Sequence, residues 1–172
     1  MIYSNTDFLI ELYEKCLTSG GCPYAILGEQ LVSRLQLSAV SIWVEHPRVR
    51  EAASRIVFFQ RAQLPELVHW DQNAAFQVLD QQEVLQGSEL GLFYWAAPLK
   101  GEQASNVWIV WSKTPFEEKQ LIFLKEFSKR LTVLLDLITL TNPKNFKRVA
   151  RELKSTQFRR ENVFIVSYST ST

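Results

Sequence analysis

The chain has 172 residues, of which 47% are apolar and 22% are charged, and this is enough to form one globular domain with a hydrophobic core. Its 19 basic and 18 acidic residues nearly balance, so the chain as a whole is not a general binder of polyanions. This composition excludes a disordered chain, a collagen-like repeat and a disulfide scaffold.

Two helices are predicted at the beginning of the chain. Apolar residues recur at helical spacing over residues 7–18, and Gly20-Gly21 ends this first helix. Pro23 is well placed to begin a second helix, whose apolar face continues to about Leu37. The two cysteines, Cys16 and Cys22, do not form a C-x-x-C motif, which favours a reduced, cytoplasmic location.

Two strands follow these helices. Residues 38–46 alternate, with Val40 and Ile42 on one side and Ser41 and Trp43 on the other, which predicts a strand with one apolar and one mixed face. Residues 54–60 predict a second strand. A short polar segment separates the two, so we expect them to pair in an antiparallel arrangement.

The middle of the chain has a weaker pattern. Residues 65–86 predict one or two short helices, and Gly87 and Gly91 are interpreted as the two ends of a turn. Two further strands are predicted over residues 92–99 and 105–111.

The strongest pattern in the chain is that of a long helix. Thr114-Pro115-Phe116-Glu117 has the form of a capping box, with Thr at the N-cap, Pro at the first helical position and Glu at the third. Helical periodicity then continues to about Leu140, and Asn142-Pro143 ends it.

The last thirty residues are basic. Residues 141–161 contain seven basic and two acidic residues, and this region predicts an amphipathic helix, followed by a strand over residues 163–168. Four cations share one face of that helix and are the candidates for a basic interaction surface: Lys147, Arg148, Arg151 and Lys154. Because aromatic residues are scarce among these charges, we expect an acidic protein partner rather than a nucleic acid.

Three segments resemble the GAF domain family. Ala97-Pro98-Leu99 is similar to the family's segment before a hairpin, Val107–Trp111 to the strand that follows, and residues 114–135 to its closing helix. The resemblance covers about residues 7–140. It implies an α+β fold with a central, mostly antiparallel sheet of five to six strands, terminal helices on one face and short helices or loops on the other. We therefore expect a GAF-like domain over residues 1–140, with residues 141–172 packed on it.

Catalytic motifs are absent from the sequence. The chain contains two histidines, His46 and His69, and no H-E-x-x-H motif, P-loop or G-x-G-x-x-G motif. Some GAF domains attach a bilin through a cysteine just before a pocket histidine, but here Val68 precedes His69. The prediction is a non-catalytic domain without a metal or cofactor.

The resemblance implies a ligand site between the sheet and residues 65–86. The candidate residues for this site are Trp43, His69, Trp70, Asp71 and Trp95. Aromatic rings with a few polar groups suit a metabolite or nucleotide, as in a small-molecule sensor. The same indoles can instead fill the space as core, and we expect this second arrangement because of their bulk.

The long helix has apolar residues on more than one stripe, which indicates either a partner contact or a wider buried arc in a monomer. The resemblance favours the partner contact, since GAF domains often dimerise through this helix together with the first one. The candidate interface residues are Leu12, Phe123, Phe127 and Leu134. The sequence thus predicts a homodimeric, regulatory or protein-interaction domain, with a small-molecule sensor as the alternative.

Overall fold

A computed structural model describes residues 5–18, 22–45, 53–61, 64–100 and 105–141 of the chain. The predicted basic helix and final strand lie outside the described residues. In chain order the elements are α1 (Asn5–Thr18), α2 (Pro23–Leu35), β1 (Ala39–Glu45), β2 (Ala53–Gln60), α3 (Leu67–Gln81), β3 (Leu85–Glu89), β4 (Leu92–Lys100), β5 (Ser105–Ser112) and α4 (Glu118–Thr141).

The five strands form one sheet in the order β2-β1-β5-β4-β3. Every neighbouring pair is antiparallel, including the predicted pairing of β1 with β2. The expected α+β fold with an antiparallel sheet is thereby confirmed.

Helices cover the two faces of the sheet unequally. Helices α1, α2 and α4 pack on one face, and α3 packs on the other, so each face carries its own hydrophobic core. The alternation of β1 supplies both cores, because Val40 and Ile42 point to the three-helix face while Trp43 points to α3. Among the described helices, none combines the length and apolar character needed to span a bilayer.

Helix α2 lies very close to the sheet. It begins with Pro23 and ends at Leu35, and the left-handed backbone of the C-cap residue Gln36 lets its N–H donate to the carbonyl of Val32. At Gly28 an added Cβ would lie 3.0 Å from Val57 Cγ1, so glycine is what permits this approach.

The middle of the chain differs from the sequence-based prediction. Residues 65–86 contain one helix, α3, and they also include the start of β3, which was not predicted. Gly87 lies inside this strand rather than at a turn. It pairs with Tyr94 of β4, and the ring of Tyr94 occupies the space that a side chain at position 87 would need. The turn itself is at Leu90 and Gly91, both with positive φ, as a two-residue antiparallel hairpin requires.

The long helix begins later than the capping box predicts. Its first residue is Glu118, and the side chain of Gln120 accepts a hydrogen bond from the backbone N–H of Glu117 at 2.8 Å. Thr114 instead donates its backbone N–H to Ser112 Oγ at the end of β5. The predicted single, unbroken helix across the sheet is confirmed, and at 24 residues it is about 36 Å long.

Three of the candidate interface residues belong to the interior of the chain. Leu12, Phe127 and Leu134 are at most 3% exposed, and Phe127 contacts Phe8 and Trp108. Only Phe123 is partly exposed, and its ring stacks on Phe127. The prediction that Leu12, Phe127 and Leu134 form a partner surface is therefore wrong, because their arc of α1 and α4 faces the sheet and the neighbouring helices.

Candidate functional site

A buried polar cluster lies between α3 and the sheet, where the resemblance implies a ligand site. Its centre is the carboxylate of Asp71, which is fully buried. Ser41 Oγ and Trp111 Nε1 donate hydrogen bonds to Asp71 Oδ1 at 2.7 and 2.9 Å, and Trp43 Nε1 donates to Oδ2 at 2.8 Å. Each carboxylate oxygen thus has at least one donor from the sheet.

The periodicities of strand and helix place these groups together. Ser41 and Trp43 are two residues apart on β1 and so share the face that α3 covers. Trp111 on β5 pairs with Ala39, which lies two residues before Ser41 on β1, and both Trp111 and Ala39 face α3. Asp71 is on the inner side of α3, in line with Leu67 and Val78 at helical spacing.

Burial and hydrogen bonding act in opposite directions on Asp71. Burial raises the pKa of this carboxyl, while the charge of Arg55 and the three donors lower it. The two indole N–H groups can only donate, so they require an acceptor, and the oxygens of Asp71 supply it. The cluster is therefore a buried carboxyl group held by neutral donors.

Arg55 is a second buried charge in this layer. Its side chain is on β2, opposite Trp43, and it is 4% exposed. Its guanidinium lies 3.6 Å from the ring centre of Phe58, and its Nε and Nη1 make no hydrogen bond with the described residues. Burial lowers the pKa of Arg55 to about 10, and the charge of Asp71 opposes this effect.

Aromatic side chains occupy the space around the two charges. Trp43 and Trp111 are at most 1% exposed, and Phe76 of α3 lies 6.3 Å from Trp43 between ring centres. Ala74 and Ala75 are small and buried, which lets the helix approach the sheet. These side chains belong to one buried hydrophobic cluster on the α3 face of the sheet.

The structure brings together only some of the candidate pocket residues. Trp43 and Asp71 are in contact, as described above. His69 is exposed and contacts Asn73 and the edge of Trp70, which is half-buried. These two residues lie outside the cluster because they occupy other sides of α3 than Asp71.

The prediction that Trp95 lines this site is wrong. Trp95 and Ala97 point to the three-helix face of the sheet, whereas Tyr94 and Ala96 point to α3. There Trp95 packs edge-on against Trp108, with 5.8 Å between ring centres. The alternation of β4 thus places it in the opposite core.

Arg55 and Trp111 belong to the site but were not among its predicted residues. The sequence does contain a signal for Arg55: it is a charged residue in a predicted strand and is followed directly by the apolar segment Ile56–Phe58. Trp111 has the last apolar position of its strand and carries no such signal. Both depend on the sheet register, which brings distant strands together.

The cluster offers one carboxyl group, one guanidinium and neutral hydrogen-bond donors. Within the described parts of the chain, no group of three or more His, Cys, Asp or Glu residues could hold a metal ion.

Comparison with known proteins gives structural matches alone. No family model matches the sequence, and no curated protein matches it. The GAF domain of an Acinetobacter phosphoenolpyruvate-protein phosphotransferase superposes with a TM-score of 0.58 at 16% identity, over 83% of this chain and 99% of that one. A corresponding domain from Coxiella burnetii gives 0.55 at 10% identity, over 81% and 96%. The phycoerythrobilin-bound GAF domain of a cyanobacterial phytochrome gives 0.56 at 12% identity, over 83% and 100%. This chain has the GAF fold.

Proposed function

We propose that this chain is a non-catalytic regulatory domain of the cytoplasm that acts by binding a second copy of itself, with its GAF ligand site filled by its own side chains. GAF domains with this fold occur in a phosphotransferase and in a phytochrome, which supports a regulatory role.

The filled site carries this proposal. The position that a ligand would take between α3 and the sheet holds Trp43, Trp111 and Phe76. The three donors that could bind a ligand already bind Asp71. A ligand would have to displace packed indoles and break these buried hydrogen bonds, each worth about 0.5–1.5 kcal/mol.

The outer face of α4 is the surface proposed for the contact. Ile122 and Leu137 are 59% and 42% exposed, and their spacing of fifteen residues places them on one side of the helix, away from the core. A stripe of this spacing suits pairing with a second helix. It replaces the buried arc that the sequence suggested for the interface.

Light scattering coupled to size-exclusion chromatography tests the contact. The wild-type chain is expected to elute as a dimer, and the double variant I122E/L137E as a monomer, because two charges in an apolar interface weaken dimerisation about 30-fold. L90E is the matched control, since Leu90 is a similarly exposed apolar residue at the β3–β4 turn. A monomeric wild type at high concentration would refute the proposal.

A small-molecule sensor is the second candidate, and one observation favours it. Arg55 is buried with two N–H groups that find no acceptor among the described residues, and such groups are rare in folded proteins. An anionic metabolite or a nucleotide could supply the acceptor. A nucleoside monophosphate at 100 times its Kd would stabilise the fold by about 2.7 kcal/mol, which a thermal-shift assay detects, and R55M should abolish the shift.

The basic residues Lys147, Arg148, Arg151 and Lys154 remain a proposed surface for an acidic protein partner. They lie outside the described residues, so the proposal rests on their helical spacing alone. Binding that weakens steeply as salt rises would support it, and salt-insensitive binding would contradict it.

A further inference from the structure

A second concavity lies on the other face of the sheet, between α4 and β4. Its volume is about 540 Å³, within the range of small-molecule sites. The lining residues from α4 are Lys125, Ser128, Lys129, Thr132, Val133 and Asp136; β4 contributes Trp95, Ala97, Pro98 and Lys100, and Val84 precedes β3. This α4–β4 groove is separated from the Asp71 cluster by the sheet.

The sheet register explains why the groove exists. Strand β3 pairs only with residues 92–96 of β4, so residues 97–100 have no strand beside them on that edge within the described part of the chain. Helix α4 packs against β4, and its residues between 125 and 136 line the groove together with this end of the strand. Pro98 lacks a backbone N–H, so a further strand is disfavoured at this edge.

The charges around the groove are mainly positive. Lys125 and Lys129 are one helical turn apart on α4, and Lys100 approaches from β4. The lining contains a single carboxylate, that of Asp136. Lys129 also contacts Glu126 at 3.5 Å, but both side chains are more than half exposed, so this pair contributes little. The groove therefore favours an anion.

The groove also has an apolar surface. Val84 and Val133, at 43% and 58% exposure, line its two sides, and the buried ring of Trp95 is part of its lining. The indole N–H groups of Trp43 and Trp111 donate to Asp71, and that of Trp108 donates to Ser128, so these three already have acceptors.

We propose that the α4–β4 groove is a binding site for an amphiphilic organic anion, a small molecule with a carboxylate or phosphate group and an apolar body. The ammonium groups of Lys100, Lys125 and Lys129 would attract the anionic group, and Val84 and Val133 would cover the apolar body. A purely inorganic anion would leave this apolar surface unused, and a neutral amphiphile would leave the lysines unused.

NMR of the five tryptophan indole N–H groups tests the site directly. Decanoate below its micelle concentration is the probe, with 1-decanol as its neutral counterpart and inorganic phosphate as the charge alone. The Trp95 signal is assigned from W95F, or from its proximity to the methyl group of Ala97 if that variant does not fold. Decanoate is expected to shift the Trp95 signal in a saturable way.

Lysine variants test the role of charge. K100Q, K125Q and K129Q should each weaken decanoate binding about two- to fivefold, the effect typical of an exposed charge pair. K119Q is the control, because Lys119 is exposed on α4 but does not line the groove, and its affinity should equal that of the wild type.

Four outcomes would overturn the proposal: no shift of Trp95, equal binding of 1-decanol, an equal shift with phosphate alone, or lysine variants that bind as tightly as K119Q. Shifts confined to the signals of Trp43 and Trp111 would also overturn it, since they would place the ligand at the Asp71 cluster on the other face of the sheet.

Discussion

Replacement of Asp71 by asparagine tests whether the α3 layer is a satisfied interior. The amide keeps one oxygen, which can still accept from Ser41 and Trp111, but its NH2 group then faces the indole N–H of Trp43. Two donors in contact leave a buried N–H without an acceptor, which costs about 1–3 kcal/mol. D71N should therefore lower the free energy of unfolding at neutral pH by this amount.

The pH dependence gives the same variant a second signature. Because burial raises the pKa of Asp71 above that of the unfolded chain, the folded chain holds this proton at pH values where the unfolded chain has lost it. Stability contributed by the group is thus fully present below the unfolded pKa and decreases as pH rises through the folded pKa. D71N should lack this decrease.

Urea unfolding of wild type, D71N and E83Q at several pH values makes the comparison. Glu83 is the control, since it is an exposed carboxylate just after the end of α3. The reasoning would be refuted if D71N and E83Q differed by less than about 0.5 kcal/mol, which is the range of ordinary surface substitutions.

Three further predictions concern local features. Leu90 has φ of +57°, so L90N should raise stability by about 0.5–1 kcal/mol in urea unfolding, and a loss of stability would contradict this. A Cβ on Gly87 would lie 2.5 Å from Tyr94 Oη, so G87A should lower the free energy of unfolding by about 1 kcal/mol. This loss should be smaller in the Y94L background, and an equal loss in both backgrounds would show that the Tyr94 ring is not its cause. Arg34 lowers the pKa of Glu11, so stability from this pair is present above the ordinary glutamate pKa and lost as pH falls; E11Q should flatten the acid limb of the stability curve, and an unchanged limb would count against it.

Much of the fold prediction rested on the alternation of apolar and polar side chains along β1. Ser41 and Trp43 contrast in polarity with Val40 and Ile42, so the face turned to the covering helix could be identified and Asp71 placed near it. The segment around Trp95 offers no such contrast, since small and apolar residues follow it on both faces. Its orientation therefore depended on the sheet register, which the local sequence does not contain.

Strand β3 and the interface arc could not be predicted for different reasons. The sequence of β3 has one large apolar residue, Leu85, and a glycine at its centre, so its pairing with β4 depends on the hairpin and on Tyr94. Helix α4 is apolar on several stripes, and only packing against the sheet decides that Phe127 is buried while Val133 is exposed.

Hydrogen exchange of the indole N–H groups tests the filled site most directly. In the ligand-free chain, the N–H groups of Trp43 and Trp111 should exchange far more slowly than that of Trp70, because both are buried and bonded to Asp71. Exchange of Trp43 or Trp111 at the rate of Trp70 would contradict the account, since it would mean that water reaches the space beneath α3.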